Sequence, residues 1–425
     1  MLAERAEHPP LIGAVRADIV IVGAGFAGLA AARRLSQIDR RLRVIILEAA
    51  NVGHGAAGRN SGFMIDLPRD LSSKGAGTDP QGPARRDIFK KRSAIALAKS
   101  MAEENGWGPE ILDACGRYSI ATGPKSDRHL VEYAQELASL GEAHRFLSAA
   151  ETAALTGSSA FTSALFMPGT VVIQPAAYIR AFADSLREPV RIYERSPAVA
   201  FERAGRGWVV KTPAGSVSAD RIVLANNGHA QSFGFLQRQL MHVFTYASLT
   251  REFEPNRLGG EREWGATPSL HTGTTIRRIR GKTGDRVLIR SRYSYNPSIS
   301  VSEASVRSAG RGHDKILSLR FPSLEGIGME YLWAGGMALT WNSVPAVEEV
   351  ERGVWAAVGC NGVGATNSTA NGIVVAEMIT HTTSELTRIF ADLESPKRIP
   401  PEPFATIGGK LSLAWKEWWA GKEAW

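Results

Sequence analysis

Cysteine is nearly missing from this chain. Cys115 and Cys360 are the only two, too few for a disulfide framework or a four-cysteine zinc site, and no metal site is expected. Long apolar runs are missing as well. None reaches the roughly 18 residues that span a bilayer, and the opening MLAERAEHPP has no apolar core of the kind a signal peptide carries. The expectation is a cytoplasmic, soluble protein. Charge is only mildly one-sided, with 50 basic against 42 acidic residues and a formal net charge of +8. The positive charges form short clusters, such as Arg85 with Arg86, Lys90 with Lys91 and Arg92, and Arg277 with Arg278. They lack the aromatic interleaving of an RNA-binding module. A solvated basic surface is expected, with no nucleic-acid partner. What is present is a globular composition, 44% apolar and 22% charged over 425 residues, enough for two domains.

Residues 18–22 form a short β-branched run of the kind found in buried parallel strands. A helix is expected over 26–35, with Leu29, Ala32 and Leu35 on one face and Arg33 and Arg34 turned away. A second strand over 44–47 completes a βαβ unit. Residues 68–86 read as loop, and 87–150 as mostly helical with a break at 106–108. A strand–turn–strand is expected over 208–217, another strand at 221–225, and β-type alternation over 240–320. Nucleotide-domain character returns at 354–378. No internal repeat is visible.

Residues 23–28, Gly-Ala-Gly-Phe-Ala-Gly, match G-x-G-x-x-G between a strand and a helix. Gly23 permits the tight turn, Gly25 lets a pyrophosphate approach the backbone, and Gly28 allows close helix–strand packing. The helix start, at Phe26 and Ala27, offers free N–H groups to phosphate. Glu48 ends the next strand, where a ribose-binding acid is required, with Ala49 beside it. An adenine dinucleotide is therefore expected, although this fingerprint does not separate NAD from FAD.

A second glycine-rich stretch decides between them. Residues 53–62, Gly-His-Gly-Ala-Ala-Gly-Arg-Asn-Ser-Gly, resemble a cofactor-wrapping segment of the D-amino-acid oxidase and glycine oxidase superfamily, with Ala57 and Ser61 where that pattern often has Ser and Gly. Residues 359–372 resemble the superfamily's second flavin motif, leading into an apolar helix over 373–378. Residues 333–345 look like its Trp-x-Gly…Thr-x-Asn-x-x-Pro segment. Looser matches lie at Gln174-Pro175, at Pro197-Ala198, at 224–228 and around Thr275 to Arg290. The match is nearest the bacterial γ-glutamylputrescine oxidoreductase group.

The resemblance implies an α/β fold. A Rossmann-like FAD-binding domain, with a parallel sheet flanked by helices, is interleaved with an α+β substrate domain built on a largely antiparallel sheet. Residues 17–90, 150–230 and 326–385 are expected in the first, 91–149 and 231–325 in the second, and 386–425 in a tail. Cofactor contacts are expected from Gly23, Gly25, Phe26, Ala27 and Gly28, and from Glu48 and Ala49. The second loop adds Gly55, Ala56, Ala57, Gly58, Arg59, Asn60, Ser61 and Gly62. Ala198, Val199, Asn226 and Gly228 follow, and then Asn361, Gly362, Val363, Gly364, Ala365 and Thr366.

The implied reaction is oxidation of an amine C–N bond. Hydride passes from the α-carbon to flavin N5, the imine hydrolyses, and oxygen reoxidises the flavin with release of peroxide. The alternatives are a dehydrogenase using a quinone or other acceptor, or a nicotinamide-dependent dehydrogenase. Relatives with histidyl flavin carry the histidine nearer Gly55 than His54. Those with cysteinyl flavin carry the cysteine near Gly335 or Gly336, so non-covalent FAD is expected, with Cys360 as a small buried residue. Sarcosine oxidases carry a lysine near the position of Thr366. Its absence favours an amine, polyamine conjugate or secondary amine over an α-amino acid. The substrate-side catalytic residues stay open. Arg290 and Arg292 are candidates, alternate residues on one face of a strand, and a solvated strand edge is the equal alternative.

In the tail, Leu411, Trp415, Trp418 and Trp419 stand at helical spacing. Packing against the protein is the ordinary expectation. A membrane-surface contact, suited by Lys410, Lys416 and Lys422, is the less favoured one.

Overall fold

The computed structural model describes residues 5–68 and 82–424. A six-stranded sheet lies at its centre, in the order Val190–Tyr193, Val44–Leu47, Ile19–Val22, Arg221–Leu224, Val354–Val358 and Ala346–Glu351. The first five strands are parallel and the last is antiparallel. Strand alternation sends successive side chains to opposite faces, and here both faces are covered. Ile19, Ile21, Val44, Ile46 and Val223 pack under helices Phe26–Ile38, Gly82–Asn105, Pro175–Ser185 and Gly364–Ile379. Val20, Val22, Ile45, Leu47, Ile222 and Leu224 pack with Trp208, Val210 and Val217. Those three side chains come from a second sheet, Gly13–Arg16, Gly215–Ala219, Gly207–Lys211 and Ala200–Ala204. The hairpin expected over 208–217 is at its centre.

The second body is an eight-stranded sheet in the order Met329–Leu339, Met241–Thr250, Asp285–Tyr295, Thr275–Arg280, Trp264–Pro268, Arg117–Ala121, Ser163–Met167 and Arg145–Leu147. All its neighbours are antiparallel except Trp264–Pro268 with Arg117–Ala121. Helix Glu303–Arg320 seals one face, where Ile316 and Leu317 meet Ile276, Val287 and Ile289. The α/β class and the interleaving agree with the sequence reading.

Several boundaries move. The loop expected over 68–86 lies mostly outside the described residues, but 82–86 are the first turns of helix Gly82–Asn105. A domain boundary at 90/91 falls inside that helix, whose Ala94, Ile95, Ala98 and Met101 join the core under the parallel sheet. Ser163–Met167 and Met329–Leu339 belong to the eight-stranded sheet, not to the nucleotide-binding body. The region 87–150 is less helical than expected, because Arg117–Ala121 and Arg145–Leu147 are strands. The β-type reading of 240–320 holds only to Tyr295, since 303–320 form a helix. The helix expected at 373 begins at Gly364. Its glycines made that stretch look like loop, yet Gly372 is an interior contact. A Cβ there would lie 2.2 Å from the Ala27 carbonyl oxygen, so only glycine lets this helix lie against Phe26–Ile38.

One buried group ties helix Glu303–Arg320 to its sheet. His313 is fully buried, with Nδ1 2.6 Å from Ser248 Oγ and Nε2 3.0 Å from Ser291 Oγ. Burial, helped by the charges of Arg292 and Arg290, pulls its imidazole down to about 4 from 6.5.

Two outcomes follow from this packing. Gly372→Ala forces the helices apart, with an expected loss of about 1–3 kcal/mol in denaturant unfolding. His313 binds its proton in the unfolded chain near pH 6.5 but in the folded chain only near 4. Its contribution is therefore complete above pH 6.5 and is lost as pH falls toward 4, by about 3 kcal/mol. Unfolding curves at both ends of that window should show a smaller loss in His313→Gln.

Candidate functional site

The first glycine loop runs from the strand Ile19–Val22 into helix Phe26–Ile38. This helix has Gly25 at its N-cap, no side-chain cap and no acid in its first turn. Its leading N–H groups and the positive end of its dipole are left for an outside anion. Gly28 is compressed onto the turn, where a Cβ would sit 1.9 Å from the Gly23 carbonyl oxygen. The second loop repeats the device. Residues 53–58 are also G-x-G-x-x-G, and a Cβ on Gly58 would sit 1.9 Å from the Gly53 oxygen. A short 3₁₀ turn, Ala56–Gly58, takes the place of the long helix. The two loops face each other, since a Cβ on Gly25 would touch the Ala57 methyl at 3.6 Å.

Other expected residues gather around this pair. Glu48 turns back to the first loop, its carboxylate accepting from Ala24 N at 3.0 Å and from Ala50 N at 3.1 Å. Glu48 O accepts from Ser196 N at 2.8 Å, which brings the chain leading to Ala198 and Val199 alongside. Ala225 and Asn226 back the turn at Gly23, and the Asn226 Oδ1 is buried with no hydrogen-bond partner among the described residues. Gly228 lies against His242 instead, where a Cβ would be 2.6 Å from Nδ1. Helix Gly364–Ile379 supplies a second uncapped N-terminus, with no acid in its first turn. Asn361, just before it, accepts from Thr340 N at 2.9 Å. Thr366 is fully buried and its hydroxyl donates to Val363 O at 3.4 Å. Cys360 is buried, as expected.

The eight-stranded sheet closes over the second loop through contacts that sequence reasoning did not single out. Trp333 Nε1 donates to Arg59 O at 2.8 Å. Arg277 Nη1 donates to Ser61 O at 2.9 Å and to Ile173 O at 3.1 Å. Within the loop, Asn60 donates to Ala57 O at 2.7 Å and accepts from Gly62 N at 2.8 Å. His54, exposed, lies 3.2 Å from Arg59 Nη2 through its Nε2. The pair Arg277 and Arg278 is not a solvated cluster. Strand alternation sends Arg277 to the loop and Arg278 to the opposite face. There Arg278 is 1% exposed, paired with Asp285 at 2.8 Å and donating to three carbonyls. That alternation was the available signal.

The same logic separates Arg290 from Arg292, against the expectation that they share a face. The pairing of Met241–Thr250 with Asp285–Tyr295 shifts register between Thr245 and Tyr246, leaving Arg292 as the extra residue, in the left-handed region at φ 58°. Arg292 is thereby turned onto helix Glu303–Arg320, beside Gly312 and 3.5 Å from Ser308 O. Arg290 stays opposite Ala247 and Thr275, on the face that carries Trp333 and Arg277 toward the loop. Its guanidinium donates to the Tyr293 hydroxyl and, at 2.7 Å, to the Thr275 hydroxyl.

Two uncapped helix starts and two glycine turns in contact fit the phosphates of a dinucleotide, and the orphaned amide oxygen, an acceptor, fits one of its hydroxyl or amino donors. The family model of FAD-dependent oxidoreductases, DAO, matches residues 18–378. The chain belongs to that family, and FAD is its cofactor. Among its relatives is the probable oxidoreductase OrdL of Rhizobium meliloti (strain 1021), 24% identical over 95% of this chain and 91% of the relative. The γ-glutamylputrescine oxidoreductase of Escherichia coli (strain K12) is 22% identical over 86% of this chain and 84% of its own. Glycine oxidase from Geobacillus kaustophilus shares the fold, with a TM-score of 0.69, 22% identity, and coverage of 91% of this chain and 100% of that one.

Removing the Arg277 tether tests the role of the sheet in shaping the loop. A charged donor to two carbonyls is worth about 1.5–3 kcal/mol. Arg277→Ala should therefore release FAD roughly tenfold or more readily, read as flavin lost on desalting, while Arg278→Ala should instead reduce stability to unfolding.

Proposed function

We propose that this flavoenzyme oxidises the C–N bond of an amine whose substrate molecule also carries an anionic group, a polyamine conjugate or secondary amine being the class favoured. The observation that carries the reading is the placement of Arg290. Its guanidinium stands on the loop-facing side of the sheet, held between the Tyr293 and Thr275 hydroxyls, and a guanidinium is the group that recognises a carboxylate. The name of the Escherichia coli relative, a γ-glutamylputrescine oxidoreductase, supports the same class.

Bound FAD supplies the two-electron acceptor, taking hydride from the carbon next to nitrogen. The chain's own part is binding and orientation. Residues 23–28, Glu48, the 53–62 loop, Ala198, Val199, Asn226 and 361–366 would hold the non-covalent cofactor. The N–H groups at the start of helix Gly364–Ile379 would stabilise negative charge on the cofactor. Arg290 would orient the substrate, with Thr275 and Tyr293 fixing its guanidinium. The amine reacts as the neutral base, and the imine adds water to give carbonyl and free amine. Oxygen is the proposed final acceptor, reduced to peroxide; a quinone or other acceptor is the alternative. A cytoplasmic setting belongs to this reading, since a reducing compartment keeps the exposed Cys115 as a thiol.

Anaerobic titration with γ-glutamyl amines, N-substituted amines and amino acids tests it directly. Bleaching of the flavin by a carboxylate-bearing amine is expected, and a flavin that none of them bleaches would end the proposal. Arg290→Ala should raise KM for that substrate about 10- to 100-fold and leave FAD content unchanged. Peroxide formed per turnover separates oxygen from another acceptor.

A further inference from the structure

The last helix, Phe404–Ala420, is mounted with its apolar stripe outward. Phe404, Ile407, Leu411, Trp415 and Trp418 are 65%, 53%, 66%, 58% and 75% exposed. Their spacing of three, four, four and three residues confines them to about 80° of the helix circumference. The opposite side meets the protein through small and polar groups. Gly409 lies on the Tyr295 ring, where a Cβ would come within 3.1 Å. Glu417 accepts from Tyr293 N at 2.8 Å. Main-chain oxygens complete the mount, with Lys416 O accepting from Thr272 Oγ1 and Trp419 O from Lys125 Nζ, both at 2.6 Å. The expectation that this stripe packs against the protein is thus overturned for Leu411, Trp415 and Trp418, whereas Trp419 lies under Lys125, whose Nζ is 3.3 Å from its ring centre.

We infer that this stripe is a docking surface for an anionic lipid bilayer, in which the helix lies along the interface. Soluble proteins rarely leave a contiguous apolar face of this size in water. Lys410 and Lys416 lie about 60° and 100° round the helix beyond the edges of the stripe; both are exposed, as is Lys422 just past the helix, and long lysine stems can reach from there toward lipid headgroups. The acid within the helix, Glu417, points inward. Tryptophan suits the headgroup level, with an apolar body and a polar N–H. Among the described residues no helix is long and apolar enough to cross a membrane, so the contact is a surface one. A second copy of the chain fits less well. Two such helices pairing about a two-fold axis would bring together exposed charges of one sign, since Lys410 and Lys416 are the helix's exposed charged residues.

The inference stands apart from the reaction and is tested without turnover. FAD-loaded full-length protein is centrifuged with phosphatidylglycerol–phosphatidylcholine vesicles and with pure phosphatidylcholine vesicles. Co-sedimentation with the anionic vesicles is expected, weakened by high salt. Combining Leu411→Ser, Trp415→Ser and Trp418→Ser should lower it roughly tenfold or more, and Lys410→Glu with Lys416→Glu should lower it too. Flavin content and thermal unfolding of these variants report that the fold is intact. No binding to anionic vesicles overturns the inference. So does a concentration-dependent dimer that the serine variant abolishes without any vesicle binding, which would assign the stripe to a second copy.

Discussion

The contact between helices Phe26–Ile38 and Gly364–Ile379 is the constraint on which the site depends. These helices lie more than 300 residues apart in the chain, and the missing side chain of Gly372 lets one settle on the Ala27 carbonyl of the other. Close approach does two things at once. It buries Leu29, Ala32 and Leu35 with Val374, Val375 and Ala376 in one core. It also sets two helices with uncapped N-termini within one nucleotide-binding body, each with partial positive charge at its start. A βαβ unit at the start of the chain could form its turn alone. It could not supply the second terminus.

The second constraint is the bulge at Arg292. Without the extra residue, Arg290 and Arg292 would both face the loop, crowding two positive charges. With it, the strand delivers one guanidinium to the loop side and gives the other to helix Glu303–Arg320, close to His313. The two sides of this sheet therefore differ in chemistry. The helix side holds buried hydroxyl–imidazole contacts and the Arg278–Asp285 pair. The loop side holds donors spent on main-chain carbonyls, Ser61 and Ile173 from Arg277 and Arg59 from Trp333, and on the Tyr293 and Thr275 hydroxyls from Arg290. The eight-stranded body thus also clamps the 53–62 loop.

The last helix extends that sheet in another direction. Its Glu417 bonds the main chain of Tyr293, whose hydroxyl receives Arg290. The outward stripe and Arg290 are therefore mounted on the same strand. A surface that holds this helix would hold the Arg290 side of the sheet at a fixed orientation beside it.

The sequence by itself determined the parts whose signals are local. Residues 18–48 announce strand, glycine turn, helix and acid by adjacent spacing, and each physical reason lies within a few bonds of the residue concerned. The resemblance carried by residues 53–62 and 359–372 brought the family and its cofactor. Only the tertiary structure decided the rest, because the deciding partner was distant in sequence. Gly372 reads as a loop glycine until Ala27 is placed against it, which is why the helix start at 364 was hidden. Arg292 reads as a neighbour of Arg290 until Met241–Thr250 pairs one residue short. Arg277 reads as part of a solvated cluster, and Trp333 as one residue of a motif without a partner, until the loop they tether is folded beneath them. The tryptophans of the last helix have the same periodicity whether they face in or out; a periodic stripe fixes a face, but only the rest of the molecule determines what that face meets.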